Sequence, residues 1–167
     1  IIKIKALCIK KLDYRDSSKI VTLYSAEYGK FSAIIKAGRS NKSKIGGIVD
    51  LFNQVEIVYY KKDTRSLQLI TQAELINYYK NIKSDIDTFK YVSAILELIN
   101  DLVHENEPNH LLYKGLIRIL ELFENAGQNS KLLFIKFFLF FIKELGYELN
   151  SNECNICGNN FDNENGF

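Results

Sequence analysis

Hydrophobic and polar positions alternate with a period of two in several stretches of the first half of the chain. Ile2, Ile4, Ala6 and Cys8 interleave with Lys3 and Lys5, the pattern of a strand with one face buried. Lys19–Ser25 is rich in β-branched and aromatic residues, which suit a pleated, half-buried surface. A Glu27-Tyr28-Gly29-Lys30 turn follows, then Phe31, Ala33 and Ile35 alternate again, so the pair predicts a hairpin. Gln54–Lys61 places Val55, Ile57 and Tyr59 on one face. After a Lys62-Asp63-Thr64-Arg65 turn, Leu67, Leu69, Thr71 and Ala73 predict a fifth strand with those residues on one side. Five strands in about 75 residues suit a small closed barrel, with a five-stranded OB-fold as the leading candidate. An SH3-like barrel would leave almost the same pattern.

Beyond Leu75 the period lengthens to that of helices. Ser84 and Asp87 predict a capping box, followed by an apolar stripe of Phe89, Val92, Ile95, Leu96, Ile99, Leu102 and Val103. Pro108 predicts the opening of a second helix, with Leu111, Leu112, Leu116, Ile119, Leu120 and Phe123 inward and Gly127 closing it. Ser130 is the predicted cap of a third, running to Gly146. Phe134, Phe137, Phe138, Leu139, Phe140, Phe141 and Ile142 make that helix apolar nearly all round, which places it centrally in a bundle. The expected class is therefore α+β: an OB-fold barrel over residues 1–78, helices over 79–150, and a Cys-bearing segment over 151–167.

Charge sharpens this division. Residues 1–78 carry 14 Lys and Arg against 7 Asp and Glu, a net of +7, while residues 79–167 carry 8 against 13, a net of −5. A field of that sign over the barrel attracts polyanions, and the helical half repels them. Within the barrel, Ala37–Gly47 reads as a small polar loop; Lys36 just before it and Arg39, Lys42 and Lys44 within it crowd nine residues, and glycines keep the backbone open. Cations spaced this way can neutralise successive phosphates. Tyr14, Tyr24, Phe31, Tyr59 and Tyr60 are the rings that could stack unpaired bases, or else pack in the core.

The apolar stretch Leu132–Leu145 is interrupted by Lys136, Lys143 and Glu144, and it falls short of the roughly 20 apolar residues a membrane span needs. No secretory leader is recognisable, and three cysteines do not make a disulfide framework, so a reduced, cytoplasmic setting is expected. Cys154 and Cys157 form a CxxC followed by Gly158, half of a tetrahedral zinc site. Cys8, His104 and His110 lie elsewhere in the pattern, so the missing ligand pair is expected past Phe167 and the zinc site is incomplete here. A redox CxxC would sit between strand and helix, whereas here a helix precedes and an Asn/Gly loop follows. No phosphate-binding Gly loop, nucleophile elbow or carboxylate cluster suited to two metals is present, so no enzyme, a nuclease included, is expected.

Three stretches, in this order, carry a likeness to a known family. Leu12–Lys30 (LDYRDSSKIVTLYSAEYGK) is similar to the opening hairpin of the RecO family of bacterial recombination mediators. Lys36–Phe52 (KAGRSNKSKIGGIVDLF) resembles that family's Lys-Gly-Ala-Arg-Arg loop and the Ser, Gly and aromatic that follow, with Ala37 and Gly38 in swapped order. Leu145–Gly158 (LGYELNSNECNICG) resembles its Leu-Gly-Tyr run into a zinc knuckle.

The resemblance implies a protein without turnover. Such a protein binds and anneals single-stranded DNA, contacts the tail of single-strand-binding protein, and acts with RecR-like and RecF-like partners to load the recombinase RecA. Carried over by residue, it implies Lys36, Arg39, Lys42 and Lys44 as DNA contacts, Arg15 and Lys19 as secondary ones, and Lys136 near the groove for the acidic partner tail. It also implies a cytoplasmic, nucleoid-associated protein whose family continues past this chain. A protein-interaction adaptor, with the basic barrel meeting an acidic polypeptide, is the alternative from another class.

Overall fold

The computed structural model describes residues 1–61, 64, 67–125 and 129–147. The predicted turn at 62–65, apart from Thr64, lies outside them, as do Gly127, Cys154 and Cys157.

Five strands form a closed barrel in the order β1-β2-β3-β5-β4. They are β1 (Ile2–Tyr14), β2 (Ser18–Ser25), β3 (Gly29–Ile35), β4 (Gln54–Tyr60) and β5 (Gln68–Asn77). The β1 strand is long enough to serve twice. Its first half pairs with β4 (Ile2 with Tyr59, Leu7 with Gln54), and its second half pairs with β2 out to Tyr14 opposite Ser18. The circle closes through a parallel contact of Ala33 and Ile34 on β3 with Gln68 and Leu69 on β5. This is the OB arrangement, and it selects between the two barrels that strand count alone left open.

The alternation read from the sequence fills the interior. Ile4, Ala6, Cys8, Phe31, Ala33, Ile35, Val55, Ile57 and Tyr59 are all buried in one cluster, which Val21 and Leu23 of β2 complete. The β5 phase differs from expectation. A register shift between Val58 and Tyr59 pairs Tyr59 with Ile70 and Val58 with Gln72. Ile70 is therefore the buried residue, while Leu67 and Leu69 are only half-buried and Thr71 turns its hydroxyl to the Val58 carbonyl at 3.1 Å. One extra residue on one strand exchanges its faces.

The predicted open loop is partly helical. After turns over 36–42, α1 (Lys44–Ile48) begins with Ser43 as cap, its Oγ accepting from the Gly46 amide at 3.1 Å. A short helix, α2 (Lys80–Ser84), then leads to α3 (Ile86–Leu102), α4 (His110–Asn125) and α5 (Ser130–Glu144). The helix starts fall one or two residues away from their expected places. Asp85, not Ser84, caps α3 by accepting from the Thr88 amide at 2.8 Å. Asn109, following Pro108, accepts from the Leu112 amide at 2.8 Å, and Asn129 rather than Ser130 accepts from Lys131 and Leu132. An Asx carboxyl or amide at the cap satisfies amides that have no partner within the helix.

The helices do not form a separate core. Leu7, Ile9, Tyr24 and Phe52 leave the barrel surface to join Val92, Ile95, Leu116, Leu120, Phe137 and Phe141 in a single buried cluster. The boundary near residue 78 separates strand from helix but not one core from another. Phe89, Leu102 and Leu111, expected inward, are exposed. The α5 helix is not central: Leu133, Phe137 and Phe141 are buried, while Leu132, Ile135, Phe138 and Leu139 are exposed along its other side. Among the described residues no helix is long and apolar enough to cross a membrane.

Candidate nucleic-acid interface

The cations of the 36–44 segment lie beside the β1–β2 turn, and backbone geometry explains why. Val21 and Leu23 face inward on β2, so a period of two carries Lys19 to the same face. There its side chain is almost wholly buried, at 8 % residue exposure. Its Nζ donates to the Gly46 carbonyl at 2.9 Å and the Val49 carbonyl at 3.1 Å, and lies 3.5 Å from Asp50 Oδ1. Lys19 is therefore corrected from surface cation to internal strut. The alternation itself carried the signal.

Asp50 also accepts from Lys11 Nζ at 2.6 Å. Burial alone would push its carboxyl up. The Lys11 hydrogen bond, the Leu51 amide and the charges of Lys19 and Lys11 outweigh that and hold it below the ordinary carboxylate range.

Arg39 latches the two turns together. Its amide donates to the Ser17 carbonyl at 2.8 Å, its guanidinium donates to the Arg15 carbonyl at 3.3 Å, and its Nε sits 3.3 Å from Asp13 Oδ2. Both turns hold a non-glycine residue in the left-handed region, Arg15 at φ 51° and Ala37 at φ 53°. Local strain of this kind persists where surroundings over-determine it. Gly46 is essential for a reason opposite to an open backbone. A Cβ there would stand 1.8 Å from the Gly38 carbonyl oxygen, so α1 rests directly on the 36–40 turn. Gly47, by contrast, faces open space.

The result is a cationic rim. Arg15, Lys36, Lys42 and Lys44 are exposed, and none of Lys36, Lys42 and Lys44 pairs with a described carboxylate. Arg39, still 42 % exposed at its side chain, stands among them with part of its charge met by Asp13. The carboxylates that touch this region, Asp13 and Asp50, come from the barrel and its loop and not from the acidic helices. Sequence reasoning missed both.

Of the aromatic stacking candidates, Tyr24, Phe31 and Tyr59 are core residues. Phe31 and Tyr59 stack on each other at 5.3 Å inside the barrel, and Tyr24 packs on Tyr113 at 6.1 Å against the helices. Tyr14 and Tyr60 remain. Tyr14 is half-buried under the Arg15 guanidinium, 5.1 Å from its ring centroid. Tyr60 is exposed and stands two strands from Ile34, across Leu69 of β5. At about 4.8 Å per strand this puts it roughly 10 Å from the end of β3, where Lys36 follows.

Lys136 is exposed on α5, beside the exposed Ile135, Phe138 and Leu139. His104 and His110 lie on the surface of the α3–α4 connection and the start of α4. Among the described residues no group of His, Cys, Asp and Glu could hold a metal ion. Cys8 is buried in the barrel, where burial pushes its thiol up to about 12 and makes it inert.

A closed five-stranded barrel with a cationic rim at its loops, backed by a bundle of helices, has the architecture used for oligonucleotide-binding barrels. Residues 1–79 match the family description Recombination protein O N terminal, and residues 83–167 match Recombination protein O C terminal. The chain belongs to the RecO family. It is 35% identical over 158 residues to the DNA repair protein RecO of Chlorobium limicola, covering 95% of this chain and 60% of that protein. Similar proteins of the same name are found in Chloroherpeton thalassium (33% identical, 93% of this chain and 60% of the relative) and Clostridium novyi (32%, 95% and 61%). The chain thus spans about three-fifths of the length of these relatives.

Proposed function

We propose that this chain acts in DNA repair and homologous recombination by binding single-stranded DNA across the rim made by the 15–17 and 36–44 segments. It helps to anneal strands and to load the recombinase onto strands coated by single-strand-binding protein, without chemical turnover of its own. The observation that carries the reading is the rim: Arg15, Lys36, Lys42 and Lys44 are exposed on and beside two turns that Arg39 latches together. Clustered cations release counterions from a phosphate backbone on contact, and rings within reach supply sequence-tolerant stacking. Tyr14 and Tyr60 fill that second role.

The exposed side of α5, with Leu132, Ile135, Phe138 and Leu139 beside Lys136, is the proposed seat of the acidic tail of single-strand-binding protein. Apolar side chains take such a peptide's hydrophobic residues, and the ammonium takes a carboxylate. RecR-like and RecF-like proteins are the further partners that membership of the family implies.

Fluorescence anisotropy with oligo-dT tests the reading. Binding that weakens steeply with salt is the expected result. No binding at low salt, together with capture of an acidic polypeptide by the same rim, favours the adaptor reading instead.

A further inference from the structure

We infer that Lys19 is the positioning residue of the rim: it holds α1 and the 36–40 turn in place from inside the barrel, and does not itself touch the strand. This inference rests on the proposed single-stranded DNA interface and adds a means by which its cations are arrayed. A helix of five residues cannot persist on its own, because nucleation costs more than one turn of hydrogen bonds returns. The last carbonyls of any helix also lack partners within it.

In α1 (Lys44–Ile48) those carbonyls are met from outside. Lys19 Nζ takes Gly46 and Val49, and the Asn53 side-chain amide takes Ile48 at 2.8 Å. A cation at a helix C-terminus also meets the negative end of the helix dipole. Asp50, shared between Lys19 and Lys11, fixes the ammonium in place.

From Gly46 the chain of contact continues outward. Its Cα hydrogens face the Gly38 carbonyl at a distance that admits no side chain. Gly38 precedes Arg39, whose amide and guanidinium bind the β1–β2 turn at Ser17 and Arg15. One buried ammonium thus supports Lys44 on α1 directly, and Lys36 and Arg39 through the turn that α1 rests on, with Lys42 on the short link between the two.

The test compares wild type with Lys19→Met, Lys19→Arg and Lys42→Ala, all well below their unfolding temperatures. Amide hydrogen exchange is measured without DNA, and oligo-dT affinity across a salt series. In Lys19→Met, exchange of residues 44–50 is expected to rise at least about tenfold while β4 amides keep their protection. Affinity should fall at least about fivefold, and the slope of log K against log salt should drop by more than the roughly 0.7 per lost single-strand phosphate contact. Lys19→Arg should recover most of both.

Lys42→Ala should lose about one contact from the slope and leave exchange unchanged. Unaltered exchange over 44–50 in Lys19→Met overturns the inference. So does faster exchange with unaltered affinity. Failure of wild type to bind oligo-dT overturns the DNA reading instead, while the exchange arm still reports whether Lys19 holds α1. Should Lys19→Met not fold, Asp50→Asn gives the same pair of readouts, because it removes the ammonium's only charged partner among the described residues.

Discussion

Gly29 and Glu107 are in backbone contact across the junction of barrel and helices: a Cβ on Gly29 would lie 2.2 Å from the Glu107 carbonyl oxygen. Gly29 also sits at φ 65°, a conformation that L side chains rarely adopt. The next residue completes the seam. Lys30 is buried, its ammonium donates to the Asn100 carbonyl, and its carbonyl accepts from the Asn106 amide at 2.8 Å. Barrel and helices are therefore joined by main chain as well as by side-chain packing.

Gly29→Ala is expected to be strongly destabilising, by about 2–4 kcal/mol, since both strain and overlap fall on backbone that cannot step aside. Urea unfolding followed by far-ultraviolet circular dichroism measures it. A loss under about 1 kcal/mol would show that the junction can open without consequence for the fold.

Two neighbouring glycines should respond in opposite ways. Gly46→Ala drives a methyl into the Gly38 carbonyl, so a loss of about 2 kcal/mol or more is expected. Gly47→Ala meets nothing within 4 Å and replaces a poor helix former, so stability should hold or rise by up to about 1 kcal/mol. Thermal melts of the two variants side by side provide the check.

The Arg39→Ala, Lys42→Ala pair should weaken oligo-dT binding about equally for all sequences, because the contacts are to phosphates. The two singles should differ. Lys42→Ala should leave the melting temperature unchanged, whereas Arg39→Ala also removes the latch to Asp13 and Arg15 and should cost about 0.5–1.5 kcal/mol of stability. Equal melting temperatures for the two singles would refute the latch.

Asp50 gives the barrel an acid-sensitive strut. Its folded-state carboxyl titrates below the ordinary range, so the stability it contributes is present above its unfolded pKa, about 4, and is lost as pH falls through the lower folded value. Urea midpoints between pH 6 and pH 2.5 should therefore fall less steeply for Asp50→Asn than for wild type. Parallel curves would mean that the carboxylate contributes no such linkage.

The Tyr24 hydroxyl is buried without a hydrogen-bond partner among the described residues, and burial pushes it up to about 12. Removing an unsatisfied polar atom relieves a desolvation cost, so Tyr24→Phe should raise stability by up to about 1 kcal/mol. A loss of more than 1 kcal/mol in chemical denaturation would show that the hydroxyl is bonded in solution.

How much of this was legible beforehand follows from the range over which each interaction acts. Alternation on β1, β3 and β4 and the helical period of α3 and α4 are local, and they placed the barrel interior and most of the apolar stripes correctly. Charge segregation located the cationic half, and the order of three motifs pointed to the family that the chain proved to match.

What the chain alone could not reveal depended on partners distant in sequence. Burial of Leu7, Ile9 and Tyr24 on the outer face of the barrel needed helices some 70 or more residues later to cover them. Exposure of one side of α5 depended on where that helix docks, which apolar composition cannot specify. The role of Lys19 turned on carbonyls 27 and 30 residues away, and that of Arg39 on Asp13 across a turn. Periodicity says which way a side chain points; only the closed barrel decides what it meets there.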